Sequence, residues 1–594
     1  MTNPLVSDRD VAFILEHTID LDRLLELPYF EDHSRETVTL YLENARRLAR
    51  EVLAPGYKVT DEEAPNLVDG KLPLHPEMHK AIDALVELGV VTATRPYDLG
   101  GAQLPAAIAV LAESYLMAGN LSATAGVGLT TGAARLIETF GSEELKRKFM
   151  DRMYSCEWTG TMALTEPQAG SSLTDVETVA KPTDDGHYLI RGSKVFISGG
   201  DHDVRDNIVH LTLARIEGAP AGIKGVSLFA IPKRREEGGG LVDNDCTTAG
   251  VFHKLGWRGL PSIALNFGEN EDCHGWLVGE PHRGIKYMFQ MMNEARLMVG
   301  VSAMATASVA YQQSLVYANE RPQGRRLGDK DPSKPQIPIV EHAQVRQLLL
   351  RQKAIVEGGM ALVAKTAYFA DLSEHLADET ERREAFLLLD LLTPIAKSFP
   401  AERGFESNTL AIQVHGGYGY TSEYLPELFW RDQKLNSLHE GTTQIQGLDL
   451  LGRKVVQDAG NALRLFAGLV ETSVAKAREA GVEGAWCDNV ATAMGEIVEL
   501  TMQLGAKGMS GDLDGMLLHS ANYLEAFSNL VVGWVWLEQA TAAKPKAGSG
   551  DGFYEGKLRA AQYWLTSELP KNTLLVRLAK DAESSFAQMQ SDWF

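Results

Sequence analysis

Two segments in the first half of the chain carry hydroxyl groups after a β-prone run. In MALTEPQAGS (162–171), glycine and hydroxyl side chains follow the run and can present several donors to one polar ligand. In KVFISGG (194–200), Phe196 and Ser198 could lie beside a planar cofactor. A strand that ends in a tight loop would give similar residues, so ligand binding and a plain strand end both remain open for these segments.

Two further segments lie in the second half of the chain. QVHGGYGY (413–420) is a glycine-rich run that is followed by Arg431 and Asp432. LHEGTTQIQ (438–446) places Glu440 directly before a glycine and two threonines. A carboxylate can act as a general base if its surroundings tune its affinity for the proton. By residue type alone, however, Glu440 is one of 79 acidic residues.

The elements that must position these segments follow from the spacing of apolar residues. A chain of 594 residues is too long for one ordinary core, so several domains are expected. Apolar residues recur every three or four residues in 41–53 and 78–91, which predicts helices. Short β-prone runs at 187–190, 195–197 and 226–231 then predict strands, with an exposed hairpin loop at the three glycines of 238–240.

Long helices return after the β-prone region. They are predicted at 294–320, 340–370 and 385–399, with lengths that suit an antiparallel bundle. A further helical region follows and is interrupted by the flexible stretch 544–552. The sequence therefore predicts a mainly α, α+β fold with four domains: a helical N-terminal domain (1–158), a β-barrel or sheet domain (159–285), a helical bundle (286–455) and an additional helical domain (456–594).

The charge balance argues against nucleic acid as a partner. Lys and Arg number 57 against 79 Asp and Glu, and the net charge of -22 repels a polyanion over most of the surface. A phosphate ligand would need a local positive pocket. Arg321, Arg325 and Arg326 either form such a pocket or belong to a solvated basic loop.

Cysteine usage and hydropathy favour a cytoplasmic protein without a membrane domain. The four cysteines lie far apart with no CxxC pair, which predicts neither a metal site nor a disulfide framework. The start of the sequence lacks the basic and then apolar order of a secretory signal. The uncharged stretch 297–319 is long enough to span a membrane, but Gln312 and Gln313 within it favour a tightly packed helix in a bundle.

In order and separation, the four segments resemble the FAD and active-site motifs of the acyl-CoA dehydrogenase superfamily, over roughly residues 80–455. The resemblance implies a helix, sheet and helix core that holds FAD and oxidises an acyl-CoA to the trans-2-enoyl-CoA, as in fatty acid β-oxidation. It also implies that an electron-transferring flavoprotein re-oxidises the flavin. The additions before residue 80 and after residue 460 resemble long bacterial members, for which we expect a homodimer.

The resemblance assigns the catalytic roles. Glu440 is the implied base for the α-proton, and the hydride from the β-carbon goes to flavin N5. The backbone N–H of Glu440 and a ribityl hydroxyl of FAD would stabilise the enolate-like oxygen. The residues that match substrate-binding positions are Ser171, Asn293, Arg296 and Gly441.

The same resemblance assigns the cofactor contacts. Thr165 would reach the flavin ring, Phe196 would pack against its edge, and Ser198 would bond to N5. Ser171 would contact cofactor phosphate and the CoA chain. Thr442 and Gln444 would bind the adenosine side. Arg321 and Gln323 of a neighbouring subunit would contact the pyrophosphate, as would Gln413, Gly416 and Gly417. The remaining implied FAD contacts are Met162, Leu164, Thr165, Ser171, Phe196, Ile197 and Ser198.

Several positions depart from the family pattern. Ser172 stands where the loop commonly carries Asp, so Asp175 could cap the loop instead by accepting backbone N–H bonds. The segment 321–324 lacks the aromatic residue often found there and is followed by an insertion at 328–338. His439 replaces a frequent Tyr and is expected to be a packed, hydrogen-bonded residue.

In part of the family the base comes from another helix, at the position of Ala295. Glu294 is one residue away, about 100° around a helix, so it is expected to be solvated or ion-paired, and Arg296 is expected to order this helix beside the substrate. Glu440 therefore remains the better base.

Three alternative functions remain beside a general acyl-CoA dehydrogenase. They are a 3-methylthiopropanoyl-CoA dehydrogenase, an acyl-CoA oxidase that shares the core, and a DNA-associated flavoprotein of this fold, which the net charge disfavours. The small-residue segment 126–133 either lines the acyl pocket or allows close helix packing.

Overall fold

Helices form most of the chain, and a run of strands interrupts them between Thr159 and Leu277. The computed structural model describes residues 3–329 and 331–594, without the side chains of 289–292. This order confirms the predicted fold class. The α-helices are α1 (Asp8–His17), α2 (Leu21–Leu25), α3 (Arg35–Leu48), α4 (Ala54–Glu62), α5 (Pro76–Glu87), α6 (Ala106–Gly119), α7 (Leu121–Phe140), α8 (Glu143–Leu145), α9 (Asp151–Tyr154), α10 (Gly284–Glu320), α11 (Ala343–His375), α12 (Glu379–His415), α13 (Pro426–Lys434), α14 (Thr443–Asp449), α15 (Asn461–Glu479), α16 (Gly484–Met509), α17 (Leu513–Leu517), α18 (Ser520–Ala543), α19 (Gly552–Tyr563), α20 (Asn572–Lys580) and α21 (Ser585–Gln588).

Backbone contacts divide the described residues into two compact units. Unit 1 contains those of Met1–Ser34, Pro105–Ser114 and Arg296–Phe594, and unit 2 contains Arg35–Leu104 and Tyr115–Ala295. Unit 1 therefore holds most of the long helices, whereas unit 2 holds every strand.

The strands of unit 2 are β1 (Thr159–Ala163), β2 (Val179–Pro182), β3 (Tyr188–Ser198), β4 (Ile208–Ile216), β5 (Val226–Pro232), β6 (Arg234–Glu237), β7 (Gly240–Asp243), β8 (Cys246–Val251), β9 (Ser262–Phe267) and β10 (His274–Leu277). Eight of them form the main sheet. Seven lie in the order β1-β4-β5-β10-β3-β9-β8, and β2 pairs with both β3 and β4. β1 runs parallel to β4, whereas β3, β5, β8, β9 and β10 pair antiparallel with their neighbours.

Apolar side chains of these strands form the core of the sheet. β5 is buried along its whole length, and Ile190, Phe229 and Ile263 lie in the same cluster. β6 and β7 form a separate hairpin. Its turn uses Gly238 and Gly239 at φ values of +61° and +83°, a region that favours glycine, so the predicted exposed hairpin loop is confirmed.

In unit 1, α11 and α12 pack along their length, and α12 continues through Pro394 and Pro400. The predicted end at residue 399 was therefore wrong. Proline has no N–H, so Pro400 leaves the carbonyl of Ala396 without its usual helical donor. Gly300 of α10 approaches that carbonyl so closely that a Cβ built on it would lie 2.2 Å from the oxygen. Packing against α10 thus supports a helix that two prolines would otherwise interrupt.

The helices after residue 460 are packed into unit 1 by large side chains. Trp536 of α18 is fully buried, and its Nε1 donates to Ala354 O of α11 at 3.0 Å. Gly358 lies beside this indole, since a Cβ built there would be 2.5 Å from Nε1. The predicted break at 544–552 separates α18 from α19.

A buried charge cluster joins α1 to the late helices of the same unit. Lys557 of α19 is fully buried and pairs with Asp10 of α1 and, at 2.9 Å, with Glu357 of α11. Its Nζ also donates to Gln539 Oε1 at 2.8 Å. Because removing one member of a buried ion cluster leaves an uncompensated charge, these helices depend on one another.

The uncharged stretch 297–319 lies within α10, where Val301, Ala303 and Met304 are buried. Across the part of the chain that the structure describes, no helix is long and apolar enough to cross a membrane.

Candidate active site

A strained turn presents Glu440 at the start of α14. Glu440 and Gly441 have φ values of +53° and +89°, which lie outside the usual backbone regions for residues with a Cβ. A Cβ at Gly441 would lie 2.6 Å from Gln446 Nε2, so glycine is required there. Thr442 then caps α14, with its Oγ1 accepting from Ile445 N at 3.4 Å.

Two buried side chains hold this turn. Nζ of Lys397 in α12 donates to Gly441 O at 2.8 Å, and Gln446 Nε2 donates to Glu440 O at 3.0 Å. Both side chains are fully buried. The main chain on either side of the Glu440 carboxylate is therefore fixed from two elements.

Burial raises the pKa of Glu440, while Arg296 and then Lys397 oppose that shift. Burial likewise lowers the pKa of Lys397 to about 8, against the attraction of Glu402 and Glu440. The backbone N–H of Glu440 donates to no acceptor among the described residues. The turn thus offers a carboxylate and a free N–H donor from one residue.

His439 precedes the carboxylate and is uncharged at neutral pH. Burial, with a smaller contribution from Lys397, lowers its pKa to about 3. His439 is partly buried and adds no charge beside the carboxylate.

Arg296 ties α10 to α14. It is buried, and its NH1 lies 2.7 Å from Asp449 Oδ2, while Asp449 Oδ1 also accepts from Arg453 Nε at 2.7 Å. These cations hold the pKa of Asp449 below its usual range despite burial. Arg296 therefore fixes α10 against the helix that follows the base.

Glu294 lies on the part of α10 that belongs to unit 2, and it is ion-paired with Arg135. Asn293 is partly buried on the same helix. The sequence-based rejection of Glu294 as the base accordingly agrees with its pairing.

In unit 2, a buried ion pair connects the two hydroxyl-bearing segments. Lys194 Nζ lies 2.7 Å from Glu166 Oε1 and also donates to Leu164 O and Leu213 O, at 3.2 and 2.7 Å. Glu166 accepts further bonds from the backbone N–H groups of residues 177 and 178. Burial raises the pKa of Glu166, but Lys194 and these donors outweigh it and bring the pKa to about 2.

This pair positions the loop after β1 against β3. Val195 N donates to Thr165 O at 2.9 Å, so the loop and the end of β3 are in direct contact. Met162 lies in β1, and both Leu164 and Thr165 are partly buried just after it. Ser171 lies farther along, on an exposed part of the loop where Asp175 accepts from the hydroxyl of Thr174 at 3.0 Å.

A β-bulge turns Phe196 outward at the end of β3. The register with β9 shifts between Lys194 and Ile197, and Phe196 has a φ of +60°. Its side chain is 63% exposed, whereas Ile197 is buried and Ser198 is partly buried. The Phe196 ring packs against Phe252, with 4.5 Å between the ring centres, and its exposed part is suited to a planar ligand.

The implied pyrophosphate residues form one exposed surface of unit 1. Arg321, Gln323, Gln413, Gly416 and Gly417 are all exposed. The guanidinium of Arg321 lies 5.6 Å from the ring centre of Tyr418, so the residues that follow α10 and α12 are brought together. Gly416 has a φ of +61°, and a Cβ on either glycine would meet open space. Gln444 is exposed in α14.

A cavity within unit 2 begins beside the residue that follows Ser198. A Cβ built on Gly199 would lie 3.5 Å from Leu260 Cδ1 and 3.8 Å from Leu129 Cδ1. The cavity is lined by Leu74, Ile82, Gly126, Val127, Leu129, Thr130, Cys156, Thr159, Gly160, Gly199, His202, Val204 and Leu260. Half of the small-residue segment 126–133 thus lines a cavity.

Comparison with known proteins identifies the family. The sequence matches the acyl-CoA dehydrogenase N-terminal domain over residues 35–157, the middle domain over 161–269 and the C-terminal domain over 282–455, and the acetyl-CoA dehydrogenase C-terminal-like domain over 466–590. A 3-methylmercaptopropionyl-CoA dehydrogenase of Ruegeria pomeroyi is 36% identical over 93% of this chain and 94% of its own. The chain belongs to the acyl-CoA dehydrogenase family.

A second relative supports that membership, and a solved structure shares the fold. A broad-specificity linear acyl-CoA dehydrogenase of Mycobacterium tuberculosis is 33% identical over 95% of this chain and 95% of its own. An acyl-CoA dehydrogenase from Bacillus anthracis, solved in complex with FAD, has the same fold with a TM-score of 0.75 and 20% identity, over 96% of this chain and 92% of that one.

FAD is the cofactor of this family, and the residues at the site are suited to bind it. Phe196 offers an exposed ring for a planar isoalloxazine, and Ser198, two residues later in the same strand, is partly buried. Arg321 offers a cation for a pyrophosphate, and Gly416 and Gly417 leave open space for close approach to the backbone. Groups of three or more residues suited to a metal ion are absent from the described part of the chain.

Sequence reasoning missed the residues that position the site. Lys397 lies in a predicted helix near the apolar residues Ile395, Ala396 and Phe399, which is an unusual place for a lysine and was a usable signal. Lys194 and Glu166 lie inside the two quoted segments, but their pairing depends on the sheet register.

Proposed function

We propose that Glu440 removes the α-proton of an acyl-CoA thioester and that the product is the trans-2-enoyl-CoA. Bound FAD supplies the oxidant, because its isoalloxazine accepts the hydride that leaves the β-carbon. The observation that carries the proposal is the turn at 440–441, where the Glu440 carboxylate has a raised pKa and the Glu440 N–H has no acceptor among the described residues.

The chemistry requires both groups of this turn. An α-proton beside a thioester is very weakly acidic, so a carboxylate removes it only if the charge that develops on the carbonyl oxygen is stabilised. The free N–H of Glu440 is suited to donate to that oxygen. Burial raises the pKa of Glu440 and so strengthens the carboxylate as a base, while Arg296 and then Lys397 oppose that shift.

The names of the relatives indicate the class of acyl group. The relatives are named for 3-methylmercaptopropionyl-CoA and for linear acyl-CoAs. A methylthio thioester is therefore the second candidate substrate beside straight-chain acyl-CoAs.

The remaining roles follow from the family pattern. We propose electron-transferring flavoprotein as the electron acceptor, and a cytoplasmic homodimer in which the exposed Arg321 and Gln323 contact the partner's FAD. We also propose functional domain boundaries at residues 158, 285 and 455. Mass measurement in solution tests the dimer.

The test of the base is Glu440→Gln, with Glu294→Gln as a matched control. Glutamine keeps the shape of the side chain but cannot accept the proton, so Glu440→Gln should retain FAD and lose nearly all flavin bleaching by acyl-CoA under anaerobic conditions. Glu294→Gln should bleach at the wild-type rate. Fast bleaching in Glu440→Gln contradicts the assignment. Rapid oxygen consumption without an added acceptor indicates an oxidase instead.

A further inference from the structure

A buried ion cluster lies at the end of α14 that is opposite to the Glu440 turn. Asp449 is the last residue of this helix, and its side chain is 11% exposed. Its Oδ2 accepts from Arg296 NH1 at 2.7 Å, and its Oδ1 accepts from Arg453 Nε at 2.7 Å. One carboxylate is therefore shared between the buried guanidinium of Arg296 and that of Arg453, whose side chain is half exposed.

The pairing of Arg296 with Asp449 is one-sided. A bidentate pair would join two N–H groups of one guanidinium to both carboxylate oxygens. Here the second oxygen of Asp449 is bound by Arg453, and Arg296 Nε is buried without an acceptor among the described residues. Because Arg296 is only 2% exposed, water screens its charge weakly. Asp449 therefore neutralises Arg296 only in part, and Arg453 competes for the same carboxylate.

The charge of Arg296 acts on the proposed base. Burial raises the pKa of Glu440, and within the described chain the charged groups that oppose this shift are Arg296 of α10 and then Lys397 of α12. Glu402 in turn acts on Lys397. His439 is uncharged at neutral pH. Arg296 is thus the cation with the larger effect on the Glu440 carboxyl.

The other neighbours of α14 leave Arg296 as the link between the two carboxylates. α18 approaches α14 with the backbone of Ser520 beside Gly447. Lys454, which is also buried, pairs with Asp390 of α12. Among the described residues, Arg296 is accordingly the group that both contacts Asp449 and acts on Glu440.

We propose that Asp449 is a positioning residue for proton abstraction: it holds the Arg296 guanidinium and limits how strongly this cation stabilises the ionised form of Glu440. The inference rests on the proposed function, in which Glu440 takes the α-proton. A more fully neutralised Arg296 leaves Glu440 a stronger base, whereas an unpaired Arg296 makes it a weaker one. Arg453 acts in the opposite sense to Asp449, since it competes with Arg296 for the carboxylate.

Two substitutions should move the acid side of the pH–rate profile in opposite directions. Asp449→Asn removes the anion and keeps the shape of the side chain, so the rise in flavin reduction rate should move to lower pH by about 0.5–1 unit. Arg453→Met removes the competing cation, so the rise should move to higher pH, and by less because Arg453 is half exposed. The measurement is the rate constant of flavin reduction at saturating acyl-CoA, by anaerobic stopped-flow between pH 5 and 8.

Matched variants separate this effect from a change in folding or in net charge. Asp449→Glu keeps the anion and should keep the wild-type profile. Asp488→Asn removes one charge from an exposed ion pair, in which Asp488 Oδ1 lies 2.5 Å from Arg478 NH2, and should leave the profile unchanged. If Asp449→Asn does not fold, the direction of the shift in Arg453→Met decides.

The outcomes distinguish this inference from the function on which it rests. Opposite shifts in Asp449→Asn and Arg453→Met, with the wild-type profile in the two matched variants, support it. Profiles that stay in place or move in the same direction in both variants overturn it, even where Glu440→Gln abolishes flavin reduction. If Glu440→Gln reduces the flavin at the wild-type rate, the proposed function fails and the inference fails with it.

Discussion

Replacing Lys397 by methionine tests how much of the reaction depends on the fixed turn at Glu440. Lys397 Nζ donates to Gly441 O at 2.8 Å from a fully buried position. A hydrogen bond with a charged partner contributes about 1.5–3 kcal/mol, and methionine fills similar space without a donor. The turn then keeps the bonds from Gln446 Nε2 to Glu440 O at 3.0 Å and to Gly441 O at 3.4 Å. If the whole contribution is expressed in the proton-transfer step, the rate constant of flavin reduction falls about 10- to 160-fold.

The pH profile of the same variant is an independent readout. Because burial lowers the pKa of Lys397 to about 8, the side chain is charged below that pH and neutral above it. The wild-type reduction rate should therefore decline as pH rises through about 8, and Lys397→Met should lack this decline. On the acid side, the rate rises as Glu440 loses its proton. Since Lys397 lowers the pKa of Glu440, that rise should move to higher pH in the variant.

Anaerobic stopped-flow measurement of flavin bleaching between pH 5 and 10 gives both results. Lys365→Met is the matched control, because Lys365 Nζ also donates to a carbonyl, Thr18 O at 2.9 Å, and pairs with Glu538 at 3.0 Å. It should lower the melting temperature and leave the reduction rate unchanged. A Lys397→Met protein with the wild-type rate and the wild-type alkaline decline refutes the role given to this lysine.

Three further changes have defined outcomes. Gly441→Ala places a Cβ at a φ of +89° and 2.6 Å from Gln446 Nε2. The resulting strain of about 1–3 kcal/mol should slow flavin reduction, measured by stopped-flow, by about 5- to 160-fold. A wild-type rate would show that the turn tolerates a side chain. Lys194→Met leaves Glu166 buried without its cation. The free energy of unfolding of the variant should therefore fall by about 3–5 kcal/mol, and the variant should elute from gel filtration with less FAD. Full FAD occupancy would contradict the positioning role of the pair. Burial raises the pKa of Glu113 to about 8, so the folded protein holds a proton that the unfolded chain releases, and stability falls as pH rises from about 4.5 to 8. Glu113→Gln should therefore raise the melting temperature more at pH 8.5 than at pH 5, and an equal gain at both would argue against the raised pKa.

Local apolar spacing was enough to predict the order of elements but not every boundary. The strands between Thr159 and Leu277 follow β-prone runs that are visible in the sequence. The end of α12 at His415 was not predictable in this way, because Pro394 and Pro400 lie inside it. The compensating contact comes from Gly300, which is distant in sequence, so only the packed structure reveals it.

At the site, too, local sequence patterns predict some residues, whereas others depend on contacts between residues that are distant in sequence. The resemblance located Glu440 and the flavin segments, since their residues are contiguous in the chain. Lys397 acts on the turn from 44 residues away, and Lys194 reaches Glu166 across 28 residues. Their roles depend on helix packing and sheet register, which no local pattern encodes. The left-handed backbone at Glu440 was equally hidden, because non-glycine residues rarely adopt it.

The buried cluster around Lys557 has a consequence for synthesis on the ribosome. Asp10 and Lys557 are 547 residues apart in sequence. At a translation rate of about 5–20 residues per second, Lys557 is synthesised roughly 30 to 110 s after Asp10. Unit 2, which ends at Ala295, is complete long before that. Nascent chains stalled before α19 should therefore protect unit 2 from protease while α1 remains cleavable, and release of the full chain should protect α1 last.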